Sequence, residues 1–308
     1  MTSTAIDQNH VGGPVLSIVR KEGQALVIPQ LAFGCYKVPD NEQGELILKN
    51  ALQTGYRHFD TATYYNNEAT LGRVLRSSGI PRSTFFLTSK VWNDAQKQGR
   101  AAVRASVMQS LEDLNFADGE TTADTQALYW DLFLIHWPVP GYFVDTYREL
   151  ELLQQEGHIR AIGLSNFSID EYERLMQTAT IPPVVNQFEV SPFMYRPEDI
   201  NYFQTKANMA VAASKAMHRG GAVLQENEVL QSIAKSHSVT PGQVMIRWSM
   251  QKDLIVLSMS SSLKHQQENF QVTHFALKSE EMEQLDALTS QEAVQARTEL
   301  EKERKTQL

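Results

Sequence analysis

The feature that most constrains this chain is a repeated alternation. Short apolar runs recur along most of its length, each followed by a longer amphipathic segment. The runs that read as strands are residues 30–34, 56–60, 85–90, 131–136, 161–164, 184–189, 209–212 and 254–257. Helical periodicity occupies residues 44–54, 67–77, 99–114, 144–156, 170–178, 197–207, 226–236 with 241–251, and 264–270. A strand that returns through a helix lies parallel to its predecessor, because only a long crossover brings the chain back to the same sheet edge. Eight such units in about 250 residues predict a closed (β/α)8 TIM barrel rather than an open sheet.

The rest of the chain fits around that core. Residues 15–29 hold two apolar stretches flanking Lys21, Glu22 and Gly23, the pattern of a β-hairpin, which would plug the N-terminal mouth of a barrel. Residues 115–129 are polar and rich in Thr and Asp, and read as a surface insertion between a helix and the fourth strand. The tail, residues 291–308, is charged and reads as a frayed helix. A length of 308 residues admits one large domain or two small ones. With no repeat, Pro-rich linker or compositional break, a single domain over residues 1–308 is expected.

Charge and composition exclude several function classes. Lys and Arg number 28 against 36 Asp and Glu, a formal net charge of −8, so no global basic field would hold nucleic acid or anionic lipid. The 42% hydrophobic and 21% charged content is that of a globular chain rather than a disordered one. The single cysteine, Cys35, excludes an intrachain disulfide and Cys-rich zinc sites. The first residues, MTSTAIDQNHVGG, lack the basic start and apolar core of a signal peptide, and no apolar run reaches the roughly 18–20 residues that span a bilayer. The expected location is the cytoplasm, as a monomer or weak homo-oligomer, with neither membrane nor nucleic acid as partner.

Catalytic groups of such a barrel lie at the C-terminal ends of its strands. The polar residues ending the predicted strands are Asp60, Lys90, His136, Ser165 with Asn166, and Gln187 with Glu189. Tyr65 follows Asp60 in the next loop. Each has an ordinary structural explanation: Asp60 as a helix cap, Lys90 as a snorkelling surface lysine, His136 as a satisfied core histidine, Tyr65 as loop packing. Their convergence on one mouth is harder to explain that way, and their chemistry is coherent. A phenol is a poor acid near neutral pH, an ammonium beside it favours the phenolate, and a buried ammonium needs a carboxylate. An imidazole can orient a substrate oxygen. Such a set delivers a proton to a carbonyl oxygen while the carbon receives a hydride, which only a cofactor can supply.

These residues sit in segments that resemble the aldo-keto reductases from about residue 15 to residue 288. The matching pieces are LAFGCYKV, GYRHFDTATYYNNE, FFLTSKVW, DLFLIHWP, IRAIGLSNF, VVNQFEVSPF, TPGQVMIRW and ENFQV. The resemblance implies a (β/α)8 barrel that reduces an aldehyde or ketone to an alcohol, with NADP(H) as cofactor and NAD(H) as the alternative. It implies a tetrad of Asp60, Tyr65, Lys90 and His136, with Tyr65 the general acid, Lys90 and Asp60 its tuning pair and His136 the orienting group. The histidine also matters by its identity, since a glutamate there marks the family's steroid double-bond reductases. It further implies that Ser165, Asn166 and Gln187 hold the nicotinamide carboxamide, with Gly34 and Cys35 also on the cofactor side. Tyr36, Tyr64, Trp92 and Trp137, with His136, are the candidate walls of the substrate pocket. No GxGxxG occurs, which fits a family that binds the dinucleotide across the barrel mouth.

The departures from the family pattern concern the cofactor. Ala213 stands where the family has a tyrosine that stacks on the nicotinamide. Met259 and His265 stand where a lysine and an arginine grip the 2′-phosphate, while Ser260 and Asn269 are kept. A neutral imidazole does not replace a bidentate guanidinium, although Lys264 and Ser262 offer partial compensation. The Ser-rich loop at residues 258–262 resembles fungal members. These changes give the alternative reading some ground: a catalytically weak barrel that binds nicotinamide cofactor as a regulatory subunit. A metal-dependent hydrolase would need several strand-end ligands, and only Asp60, His136 and Glu189 qualify.

Overall fold

The computed structural model describes residues 13–19, 25–116, 128–217 and 222–307. In chain order it contains the strands β1 (Val15–Val19), β2 (Ala25–Pro29), β3 (Leu31–Gly34), β4 (His58–Asp60), β5 (Phe86–Val91), β6 (Leu132–Ile135), β7 (Ile162–Ser165), β8 (Val185–Glu189), β9 (Ala210–Ser214) and β10 (Ile255–Ser258). The helices are α1 (Glu42–Thr54), α2 (Glu68–Ser77), α3 (Asn93–Lys97), α4 (Arg100–Leu114), α5 (Phe143–Gln155), α6 (Ile169–Met176), α7 (Pro197–Asn201), α8 (Ala222–Glu226), α9 (Glu228–His237), α10 (Pro241–Gln251), α11 (Leu263–Phe270), α12 (Ser279–Asp286) and α13 (Gln291–Gln307). Eight parallel strands close into a barrel in the order β10, β3, β4, β5, β6, β7, β8, β9, as the strand–helix alternation predicts.

Two apolar layers hold it together. The strands' outward side chains, such as Phe33, Phe59, Leu87, Phe133 and Phe188, pack under the helices with Leu48, Leu71, Val107, Leu150 and Trp248. The inward ones near the N-terminal end, among them Ala32, Phe86, Leu132, Leu134, Val185, Ala212 and Ile255, form a separate cluster with Leu16, Ile18 and Ile28 of the hairpin. The hairpin therefore plugs the floor: β1 and β2 pair antiparallel with Leu16 opposite Ile28, while its turn lies outside the described residues. His58 ties the two together, its Nδ1 at 3.0 Å from the Pro29 carbonyl and its Nε2 at 3.0 Å from Thr88 Oγ1. A carbonyl can only accept, so the ring proton sits on Nδ1 and Thr88 donates to Nε2. Gly163 is needed inside the barrel, where a Cβ would lie 2.4 Å from Leu134 Cδ2 and 2.9 Å from the Val185 carbonyl.

Local sequence sets the element boundaries. The Asn41 side chain caps α1 and Gly55, at φ +119°, ends it. Ser168 with Glu171 and Thr240 with Gln243 form capping boxes that start α6 and α10. The predicted helix over residues 197–207 begins as α7 and continues as a wider π-helical turn, Tyr202–Lys206. The expectation of a frayed tail needs correcting. α13 is regular and docked: Arg297 is 7% exposed and pairs with Glu189 of β8, while Arg196 pairs with Glu301. Most of the proposed insertion, residues 117–127, lies outside the described residues.

Candidate active site

At the C-terminal mouth, Asp60 ends β4 and Lys90 lies near the end of β5. Both point inward and both are buried. Lys90 Nζ donates to Asp60 Oδ1 at 2.5 Å and to the Thr61 carbonyl at 2.7 Å. Gln187 of β8 donates from Nε2 to Asp60 Oδ2 at 2.8 Å, so both carboxylate oxygens are engaged. Burial works against the Lys90 charge, but Asp60 and then Tyr65 outweigh it and raise its pKa above the ordinary ammonium value.

Tyr65 is carried by a single 3-10 turn, Thr63–Tyr65, after β4. Thr63 Oγ1 donates to the Lys90 carbonyl at 3.0 Å, pinning the turn over β5. Asn67 anchors its other side: Nδ2 donates to the carbonyls of Cys35 and Val38 at 2.9 Å each, and Oδ1 accepts from Thr61 Oγ1 at 2.6 Å. Lys90 Nζ lies 5.2 Å from the Tyr65 ring centroid. Burial pushes the Tyr65 phenol above its usual value; Lys90 pulls it down by charge and hydrogen bond, and the net direction is up. Lys90 thus lowers the phenol as expected from sequence, but in the resting molecule desolvation of the phenolate is the larger effect.

His136 follows β6, its ring edge-on to Tyr65 at 5.8 Å and to Trp92 at 4.9 Å. Burial, and next the Lys90 charge, hold its pKa well below the ordinary imidazole value, so the ring is neutral. Its Nδ1 is buried without a hydrogen-bond partner. Tyr36 and Tyr64 extend the aromatic wall: Tyr36 lies 5.1 Å from Tyr65, and Tyr64 stacks on Trp92 at 4.0 Å. Both are about half exposed, at 53% and 51%. Trp137 differs: it is buried, and its carbonyl accepts from Gln96 Nε2 at 3.1 Å.

Ser165 and Gln187 are register partners on β7 and β8. Asn166, at φ +61°, donates from Nδ2 to the His136 carbonyl and to Ser165 Oγ, both at 3.0 Å. These bonds and the Gln187–Asp60 bond use the amide nitrogens, so Asn166 Oδ1 and Gln187 Oε1 are not engaged in them. Two amide oxygens and a serine hydroxyl on neighbouring strand ends match the donors and acceptor of a carboxamide. Gly34 ends β3 beside the Ser258 carbonyl and Met259, and Cys35 is buried next to it. Burial, then the Asp60 charge, push the Cys35 thiol up, so it is an un-ionised neighbour of the site.

The structure does not bring every predicted cofactor residue to this mouth. Ala213 is the register partner of Phe188, and Ala212 that of Gln187, so Ala213 faces the outer core and Ser214 shares the side of Glu189. Strand pleating, which turns alternate residues to opposite faces, is the reason. Ser260 and His265 lie on the loop and first turn around α11, with His265 exposed. Ser260 Oγ accepts from the Ser262 amide. Lys264 is exposed and pairs loosely with Glu268 at 3.7 Å. Asn269 is buried, on the side of α11 that faces Gly242 of α10. Asn67, which anchors the turn carrying Tyr65, is a residue that strand-end reasoning missed; its signal was the Asn pair after Tyr65.

Comparison with known proteins identifies the family. The aldo/keto reductase family matches residues 30–290. The chain is 37% identical over 268 residues to the 9,11-endoperoxide prostaglandin H2 reductase of Trypanosoma cruzi, covering 87% of this chain and 90% of that protein. It is 36% identical over 267 residues to the glyoxal reductase of Bacillus subtilis, covering 87% and 91%. The crystal structure of a Bombyx mori aldo-keto reductase in complex with NADP superposes with a TM-score of 0.76 at 26% identity, covering 89% of this chain and 92% of that one. The first two are trypanosomal and bacterial, and lend no support to the fungal likeness suggested by the Ser-rich loop.

Proposed function

The chain belongs to the aldo/keto reductase family and is an oxidoreductase of aldehydes or ketones working with a nicotinamide cofactor, and on that premise we propose that Tyr65 is its proton donor. The observation that carries the assignment is the buried Lys90–Asp60 pair beneath the Tyr65 ring, with neutral His136 edge-on beside it. Burial keeps the phenol protonated through neutral pH, so it holds a proton to give. Lys90 then stabilises the phenolate left behind, and Asp60 keeps that ammonium charged in a dry site. His136 Nε2 orients the substrate oxygen toward the phenol. Ser165, Asn166 and Gln187 hold the nicotinamide carboxamide, and the bound cofactor supplies the hydride. Tyr36, Tyr64 and Trp92 wall the substrate side.

The substrate is a small carbonyl compound. The names of the relatives make short dicarbonyls such as glyoxal the first to try. NADP(H) is the proposed cofactor, with weaker discrimination against NAD(H) because Met259 and exposed His265 offer no permanent cation for a 2′-phosphate. We take the chain to act as a single domain in the cytoplasm, as a monomer or weak homo-oligomer. Among the described residues no helix is long and apolar enough to cross a membrane. The test is the loss of reduced-cofactor absorbance with glyoxal and with a simple aldehyde, using NADPH and NADH side by side. Turnover with either cofactor supports the proposal. Cofactor binding without turnover across a broad carbonyl panel favours a regulatory barrel instead.

A further inference from the structure

On the floor of the barrel, where β3 and β10 begin, lies a cavity of about 220 Å³. Its wall includes Gln30 ahead of β3, Arg247 and Met250 of α10, and Asp253 in the turn between α10 and β10. Two opposite charges thus line one small space, and both are partly buried. Arg247 engages only its Nε, which donates to Gln251 Oε1 at 3.1 Å. Among the described residues neither side chain has an ion-pair partner. Burial is the one influence that shifts either group, lowering Arg247 and raising Asp253, so each charge is drawn from water with nothing beside it to offset the loss. They do not satisfy one another, because each is held in place. Gln251 fixes Arg247 while bonded to the Leu277 amide at 2.7 Å and the Leu277 carbonyl at 3.0 Å. Asp253, at φ +56°, donates its N–H to the Met250 carbonyl at 3.0 Å and accepts from Gln204 Nε2 at 3.3 Å on its own carbonyl. Lys252, its neighbour in the chain, is committed to Asp286 at 3.0 Å.

A guanidinium and a carboxylate, both unpaired and held apart on one wall, call for a ligand that carries both charges. An anion alone would relieve Arg247 and be repelled by Asp253, and a cation alone the reverse. We propose that this cavity binds a small zwitterion, an amino acid whose carboxylate meets Arg247 and whose ammonium meets Asp253. The planar guanidinium fork suits a carboxylate, and its two Nη atoms are in no hydrogen bond among the described residues. The volume falls below the roughly 300–1,000 Å³ of pockets for larger ligands, which limits the guest to a few heavy atoms. Gln30 makes the wall part of the frame. It donates from Nε2 to the Met250 carbonyl at 3.0 Å, its N–H donates to the Pro14 carbonyl at 2.7 Å, and its carbonyl accepts from the Val256 amide at 2.7 Å. A guest here therefore braces the hairpin against β3 and β10. Its binding is independent of the chemistry at the catalytic mouth.

The test is titration calorimetry of the full chain with glycine, β-alanine and γ-aminobutyrate, which space the two charges differently, beside acetate and ethylammonium, which carry one each. At least one amino acid should give saturable binding, and neither single ion should match it. Arg247→Gln and Asp253→Asn should each weaken the best of the three by about tenfold or more. Asparagine accepts a left-handed backbone, so Asp253→Asn should also melt no lower than the wild type, having shed an uncompensated charge. Absence of saturable binding by all three amino acids overturns the proposal and leaves the cavity to water. Acetate or ethylammonium binding as tightly as the best amino acid overturns it as well, since one charge would then suffice. Binding that survives either substitution places the ligand elsewhere on the molecule. A marked loss of stability in Asp253→Asn makes that carboxylate a structural partner and counts against the site equally. If Arg247→Gln fails to fold, Asp253→Asn decides alone.

Discussion

Replacing Lys90 by methionine separates the structural from the chemical use of one ion pair. The ammonium is fully buried, 2.5 Å from Asp60 Oδ1. Methionine keeps the side-chain bulk and removes the charge. Asp60 is left with the Gln187 amide as its side-chain hydrogen-bond donor, at 2.8 Å. Breaking a buried pair in this way costs about 3–5 kcal/mol. At about 2–4 °C per kcal/mol the melting temperature should fall by roughly 6–20 °C. The chemical effect is independent of that. An opposite charge this close changes a neighbour's acidity by about 10- to 1000-fold, so kcat should drop by about a hundredfold. Any alkaline limb of the pH profile should move up. Adding Asp60→Asn removes the bare carboxylate, so the double variant should regain most of the lost stability and none of the lost rate. Thermal melts and steady-state kinetics on the three variants decide the matter. A Lys90→Met protein with wild-type kcat and pH profile, or a double variant that recovers activity along with stability, would refute the reasoning.

The remaining predictions concern other parts of the molecule. Glu68 is buried between Ser89 and Ser110, and burial pushes its carboxyl up to about 7 against hydrogen bonds from both hydroxyls. A raised carboxyl gives stability below its unfolded value near 4.5 that is lost as pH rises to about 7, so urea melts of wild type and Glu68→Gln should diverge by up to about 3 kcal/mol across that window, the variant being relatively more stable at high pH. His58 and His136 act with the opposite sign. Burial lowers both, so their contribution is complete above about 6.5 and fades below it, and His58→Asn should flatten the acid side of the stability curve. His265→Arg should tighten NADPH by about tenfold and barely change NADH, because a guanidinium adds a charge-assisted bond only where a 2′-phosphate exists; equal effects on the two dissociation constants would mean that the loop does not reach that phosphate.

Much of the barrel was legible because parallel strands are buried on both faces and read as continuous apolar runs. Residues 30–34 become Leu31–Gly34 and residues 254–257 become Ile255–Ser258, small differences at frayed ends. Asp60, Lys90 and His136 were legible for a related reason: a polar residue that ends an apolar strand stands out. What the sequence hid depends on three-dimensional packing. Ala213 aligns with a stacking tyrosine in the family pattern, yet the pleat turns it outward with Phe188. α13 lacks an apolar stripe because buried Arg297 and the Arg196–Glu301 pair dock it by charge, and a charged tail reads as solvent-exposed. α3 and α12 are short and polar and gave little periodic signal. The direction of the Tyr65 shift required knowing how deeply the phenol is buried, which neighbouring residue types alone do not reveal.

The most direct test of the central claim is a comparison of wild type with Tyr65→Phe, in which the ring remains and only the phenolic hydroxyl is lost. Cofactor dissociation constants and single-turnover reduction of an aldehyde would be measured on the same preparations. The account predicts unchanged NADPH binding and a reduction rate lower by about 10²- to 10⁴-fold, the usual contribution of a positioned general acid. A Tyr65→Phe protein that reduces the aldehyde at close to the wild-type rate would contradict it and move the proton donor to another group at the mouth, His136 first.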